Sequence, residues 1–187
     1  MKPIAALIAS LTLVSQAQQV RPGTIEIGPE VGYAFYGDYG AERPKDALFY
    51  GVHIGIFATE RVSFEPGYHF SLTETDPAAG TSQDIKMHVL RFNLAYHFLP
   101  QSVVDPILSG GLGWNRYDSE TPQKSDDLGV NAGLGLRVRL ADFLSARLDG
   151  RYEYVETGFS LREHNFEGSL SLNYVFGTEA PTDSDGD

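Results

Sequence analysis

The sequence predicts an all-β fold, an eight-stranded antiparallel up-and-down transmembrane β-barrel. Three observations carry that reading. Apolar and polar residues alternate over eight successive segments. The connections between those segments are short and long by turns. A secretory signal precedes the first of them. Strict alternation marks a strand with one apolar and one polar face. An even number of such strands, with short periplasmic turns and longer external loops, is the pattern of a bacterial outer-membrane barrel. A soluble β-sandwich has no reason to alternate its connection lengths.

Residues 1–17 read as the signal. Lys2 supplies a positive start, Ile4 to Val14 an apolar core, and Ser15 and Ala17 the small residues before a cut at Gln18. The apolar run is shorter than the roughly 20 residues a helix needs to cross a bilayer. Export is therefore expected, with the barrel over 18–177 and an acidic stretch over 178–187.

The first segment, Thr24 to Tyr36, puts Ile25, Ile27, Val31, Tyr33 and Phe35 on its apolar face. The second, Ala47 to Ala58, does so with Leu48, Tyr50, Val52, Ile54 and Ile56, and the third, Val62 to Thr73, with Val62, Phe64, Tyr68, Phe70 and Leu72. Lys86 to Phe98 contributes Leu90, Phe92, Leu94, Tyr96 and Phe98. Val104 to Arg116 shows Val104, Leu108, Leu112 and Trp114, and Leu128 to Leu140 shows Val130, Ala132, Leu134, Leu136, Val138 and Leu140. Leu144 to Val155 presents Leu144, Ala146, Leu148, Tyr152 and Tyr154. The last segment, His164 to Phe176, alternates most cleanly, with Phe166, Gly168, Leu170, Leu172, Tyr174 and Phe176 against Glu167, Ser169, Ser171, Asn173 and Val175. Outward aromatics gather near strand ends, where interfacial girdles sit. Pro29, Pro66 and Pro106 fall early in strands that rise from the periplasm, where a missing N–H is tolerated at a bulge or a strand start.

Composition narrows the function classes. There is no cysteine, so neither disulfides nor thiolate chemistry operate. A net charge of −11 argues against nucleic acid as a partner, because phosphate binding wants clustered Lys and Arg. The slightly negative mean hydropathy decides nothing, since every second barrel residue is polar.

With the segments laid out, the chain resembles the N-terminal barrel domain of the outer membrane protein A family. Ser63-Phe64-Glu65-Pro66-Gly67-Tyr68-His69-Phe70 looks like that family's third strand, with an inward Glu65. Ser145-Ala146-Arg147-Leu148-Asp149 is similar to the seventh, with an inward Arg147. Leu172-Asn173-Tyr174-Val175-Phe176-Gly177 resembles the terminal strand that barrel assembly machinery reads, with Leu172, Tyr174 and Phe176 as the signal. The chain departs where the family completes a switchable ion-pair network with a lysine and a second glutamate. Those places hold Asn93 and Arg137. The resemblance implies a Gram-negative outer membrane, contact with its lipids, and a structural role linked to peptidoglycan through a C-terminal part beyond this chain. Asp183, Asp185, Gly186 and Asp187 look like the opening of a calcium repeat of the thrombospondin type 3 kind. An oxygen cage for calcium takes six or more ligands, so a solvated acidic tail is the plainer reading. The sequence reads as a piece cut at a domain boundary.

By alternation the lumen holds Glu26, Glu30, Glu65, Asp105, Asp149, Glu153 and Glu167 against Arg91, Arg137, Arg139, Arg147 and Arg151. An eight-stranded barrel is just wide enough for side chains to fill. These charges are expected to pair and plug the interior rather than line a conducting pore. His69-Phe70-Ser71 superficially matches the His-x-Ser pair of lipid A deacylases, yet both polar side chains point into the lumen, away from lipid. The remaining histidines lack metal-ligand spacing, no phosphate loop is present, and no cofactor is expected. Three other readings stand beside the anchor: an adhesin-like barrel binding a host or phage through its loops, a lipid-modifying enzyme, and a soluble lipocalin-type barrel. The last would want an apolar interior.

Overall fold

The alternation seen in the sequence becomes a ladder of antiparallel strands in a computed structural model, which describes residues 20–37, 42–77, 84–119, 125–156 and 162–177. The signal, the acidic tail with Asp183, Asp185 and Asp187, and the tips of the four long connections lie outside the described residues. The strands are β1 (Ile25–Phe35), β2 (Glu42–Pro44), β3 (Ala47–Phe57), β4 (Val62–Pro77), β5 (Asp84–His97), β6 (Val104–Ser119), β7 (Ser125–Ala141), β8 (Leu144–Glu156) and β9 (Arg162–Phe176). Hydrogen bonding runs in the order β4-β3-β1-β9-β8-β7-β6-β5, and β4 pairs with β5 to close the ring. Eight strands thus form a closed barrel with no free edge, the only sheet that satisfies its backbone within a bilayer.

All eight expected segments are strands, and the differences lie at the external rim. β4 continues to Pro77, β6 to Ser119, and β7 starts at Ser125, each beyond its apolar segment. The reason is that pairing needs only backbone groups, so the ladder goes on after the apolar face has ended. The short β2 arises the same way: Glu42–Pro44 pairs with Thr75–Pro77 and prolongs the β3–β4 ladder outward. Lys45 interrupts it, its N–H donating to the Glu74 carbonyl at 2.8 Å while its own carbonyl accepts from Thr73 Oγ1 at 2.6 Å.

The prolines sit where a ladder lapses on one side. Pairing of β1 with β9 skips Gly28 and Pro29, and pairing of β3 with β4 skips Glu65 and Pro66. Pro106 closes the β5–β6 ladder, its carbonyl accepting from Phe98 N–H at 3.0 Å. β7 carries an irregularity between Arg139 and Ala141, just before its turn.

Burial is inverted relative to a protein in water. Leu134 is 69% exposed and Phe166 57%, whereas Arg147 and Arg91 are each 1% exposed. Soluble domains bury leucine and expose arginine. A wall of exposed Leu, Val, Ile and aromatic side chains around charged contents requires an apolar solvent outside. No helix among the described residues is long and apolar enough to cross a membrane, and the strands do so instead. Aromatic pairs mark both rims. Tyr96 with Phe98, Phe143 with Tyr174 and Tyr174 with Phe176 lie at the periplasmic end, and Tyr33 with Phe35 at the other.

Candidate functional site

The lumen is layered, and each layer follows from which inward positions the strands place at one height. Nearest the external mouth is an apolar layer of Ala34, Tyr36, Ala47, Phe49, Ile85 and Met87, with Tyr117 packed against it. Phe49 stacks on His69 at 4.6 Å between ring centres, joining this cap to the charged layer beneath.

In the upper charged layer Arg91 reaches from β5 to the opposite wall. Its Nη2 donates to Glu167 on β9 and to Glu153 Oε2 on β8 at 3.3 Å. Arg91 Nη1 donates to His69 Nδ1 at 2.7 Å, which leaves the proton on Nε2, and that nitrogen donates to Glu30 Oε2 at 2.8 Å. Asn115 adds a bond to Glu153 Oε1 at 3.2 Å, and Arg151 Nη1 approaches Glu167 Oε2 at 3.8 Å.

The lower charged layer centres on Arg147 of β8. It donates to Glu65 Oε1 and Oε2 at 2.6 and 3.0 Å, and to Asp149 at 2.8 Å. β8 and β4 are four strands apart whichever way the ring is followed, so this forked pair spans the lumen at its full width. His53 accepts from Arg147 Nη1 at 3.2 Å and turns its other nitrogen to Asn173 Oδ1 at 3.4 Å. Asn93 stands beside Glu65 in the register and is buried, and its Oδ1 has no partner among the described residues.

Closest to the periplasm, Arg137 pairs with Glu26 at 2.6 Å and with Asp105 at 3.4 Å, and its guanidinium lies 5.6 Å over the Phe57 ring. Arg137 therefore has two carboxylates of its own. Arg139 has no ion pair with a carboxylate among the described residues. It donates to the Pro100 carbonyl at 2.8 Å, and its Nη1 has no partner among the described residues.

A chain of contacts in this layer has the connectivity of a nucleophilic triad: Asp105 Oδ2 to His97 Nδ1 at 2.8 Å, and His97 Nε2 to Ser63 Oγ at 3.0 Å. Its surroundings differ from those of a nucleophile. Ser63 is fully buried, and its hydroxyl donates to Glu65 Oε1 at 3.0 Å. A serine flanked by a carboxylate and closed off from solvent has no face for a substrate, so the chain serves to tie the two lower layers together. His69 and Ser71 are likewise buried in the lumen, and both ring nitrogens of His69 are engaged. Among the described residues no group of His, Asp and Glu is arranged to hold a metal.

The structure thus brings Arg91, Arg151, Glu153 and Glu167 into one cluster and Glu65, Arg147 and Asp149 into another. Arg137 belongs to a third, with Arg139 alongside it on the Pro100 carbonyl. Glycine makes room for them. A Cβ at Gly113 would collide with Glu153 Oε1, and one at Gly135 would lie 2.6 Å from Asp149 Oδ1. Leu172, Tyr174 and Phe176 all point outward on β9, the strand that closes the barrel against β1. The apolar cap escapes a census of lumen charges, although the alternation that places Arg91 inward also places Met87 and Phe49 there.

A closed ring of eight strands, apolar without and charged within, defines a transmembrane β-barrel of the outer-membrane type. A family model described as the outer membrane protein beta-barrel domain matches residues 4–176, and the chain belongs to that family. The family consists of outer-membrane barrels of Gram-negative bacteria. Solved structures share the fold. The N-terminal β-barrel domain of Pseudomonas aeruginosa OprF, an outer membrane protein A family member, superposes with a TM-score of 0.58 at 20% identity, over 82% of this chain and 98% of that one. Neisserial surface protein A gives 0.60 at 17% identity, over 80% and 98%. Ail, the attachment invasion locus protein of Yersinia pestis, gives 0.52 at 13%, over 82% and 99%. The resemblance read in the strands holds at the level of the fold. A search of curated proteins finds no match.

Proposed function

We propose that this barrel is a structural element of the outer membrane, not a channel and not an enzyme, and that it anchors the membrane to peptidoglycan through sequence following residue 187. One observation carries the reading: opposite walls are joined by ion pairs at several levels, Arg91 to Glu167 and Arg147 to Glu65 among them. Such a lumen is a filled core that stiffens a membrane wall. Export by the signal over 1–17 and insertion by the barrel assembly machinery acting on Leu172, Tyr174 and Phe176 belong to the same proposal.

The anchoring claim is tested on the protein in its native envelope. After extraction with mild detergent it should sediment with peptidoglycan sacculi and be released when the glycan is digested by a muramidase. Complete solubilisation without digestion would remove the anchor and favour the second reading. That reading is a surface-contact barrel, supported by the 16 and 17 residues of β4, β6 and β7, which reach past the 9–11 or so that span a bilayer.

A further inference from the structure

The start of the described chain folds over the periplasmic mouth of the barrel. β1 and β6 are four strands apart in either direction round the ring, so the β5–β6 turn and the residues leading into β1 belong to opposite sides of the periplasmic mouth. Yet Val20 N–H donates to Gln101 Oε1 at 3.1 Å, and Gln101 Nε2 donates back to the Val20 carbonyl at 2.8 Å. Residues 21–24 form a tight turn at the near wall, Thr24 N–H donating to the Arg21 carbonyl at 3.0 Å, and Val20 beyond it meets the β5–β6 turn over the opening. Val20 is only 2% exposed, although it lies just ahead of the wall, and Thr24 is fully buried.

Both the segment and the turn it meets are fastened. At the near end, Gly23 takes the positive φ of 90° that the turn into β1 requires, and its N–H donates to the Phe57 carbonyl at 2.8 Å. Arg21 Nε donates to the Gly177 carbonyl at 2.9 Å, tying the segment to the end of β9. At the far end the turn itself is drawn inward. Pro100 is buried, and its carbonyl accepts from both Arg137 and Arg139, at 2.9 and 2.8 Å. The primary amide of Gln101 turns one N–H and its carbonyl oxygen to Val20, and so completes a rung of ladder that no backbone strand supplies.

We propose that residues 20–24 form a strap that seals the lumen from the periplasm, with Gln101 as its latch. The strap keeps water and solutes off the cluster of Glu26, Asp105, Arg137 and Arg139 directly behind it. The seal is independent of any anchoring to peptidoglycan.

The absence of native cysteine makes the test direct. Ser145→Cys places a single thiol inside the periplasmic end of the lumen, at a residue 1% exposed whose hydroxyl has no partner. Ala34→Cys places one in the external layer, at another residue 1% exposed. The barrel, folded in detergent, is treated with a charged methanethiosulfonate. Gln101→Ala should speed labelling of Ser145→Cys at least tenfold and leave Ala34→Cys unchanged. Val20→Gly removes the cover without touching the barrel wall and should give the same result, so the test survives a poorly folding Gln101 variant. Labelling of Ser145→Cys that is equally fast with and without these changes would overturn the seal. So would equal acceleration at both thiols, which reports general loosening of the barrel.

Discussion

Arg147 holds Glu65 with both arms of its guanidinium and Asp149 through Nε and Nη2, all out of reach of bulk water. Taking charges from water is costly, and only mutual pairing offsets it. Removing one partner of such a pair typically costs about 3–5 kcal/mol, because the other charge stays buried and uncompensated. Arg147→Ala should destabilise the barrel by that order in urea titrations in lipid vesicles. Glu65→Gln combined with Arg147→Gln should recover part of the loss, since the amides no longer strand a charge. Recovery is partial because Asp149 also loses its arginine. Strictly additive single and double variants would show that the two side chains are not coupled. At this scale the sequence was legible in part. Parity along a strand tells which face Glu65 and Arg147 share, but not that Arg147 takes two carboxylates while Arg139 takes a carbonyl. Those choices depend on strand stagger and on which opposing positions are glycine, as at Gly113 beneath Glu153 and Gly135 beneath Asp149.

Among the elements, β9 carries two tasks. Its inward face supplies Glu167 and Asn173 to the lumen, while its outward face ends in Tyr174 and Phe176, 4.5 Å apart between ring centres. Phe176 is half exposed to the membrane side and takes no part in the charged layers. Phe176→Ala should therefore change refolding in detergent little, while strongly lowering insertion into the outer membrane of cells, as followed by fractionation. Equal losses in the two assays would assign the residue to packing alone. The eight membrane strands were the most legible part of the sequence, because a period of two persists through each. Their external ends were not. Once the apolar face stops, as beyond Leu72 on β4, pairing of backbone groups leaves no mark in side-chain polarity. β2 and the last residues of β4 consequently read as loop. The strap was hidden for a related reason: Gln101 looks like an ordinary turn residue until the barrel brings Val20 to it from the far wall.

For the whole molecule, the outer surface and the interior have exchanged the roles they hold in water, and four stacked layers occupy the space within the ring. The layers are an apolar cap and three charged clusters, the lowest of them at the periplasmic mouth. The ion pairs that join opposite walls make this barrel a filled wall rather than a pore. Single-channel recording in planar bilayers tests it most directly, with insertion checked by the altered gel migration of unheated protein. The native barrel should be silent or open only rarely, and the Glu65→Gln, Arg147→Gln variant should open more often. A steady, wide conductance in the native protein, unchanged by that substitution, would contradict the account.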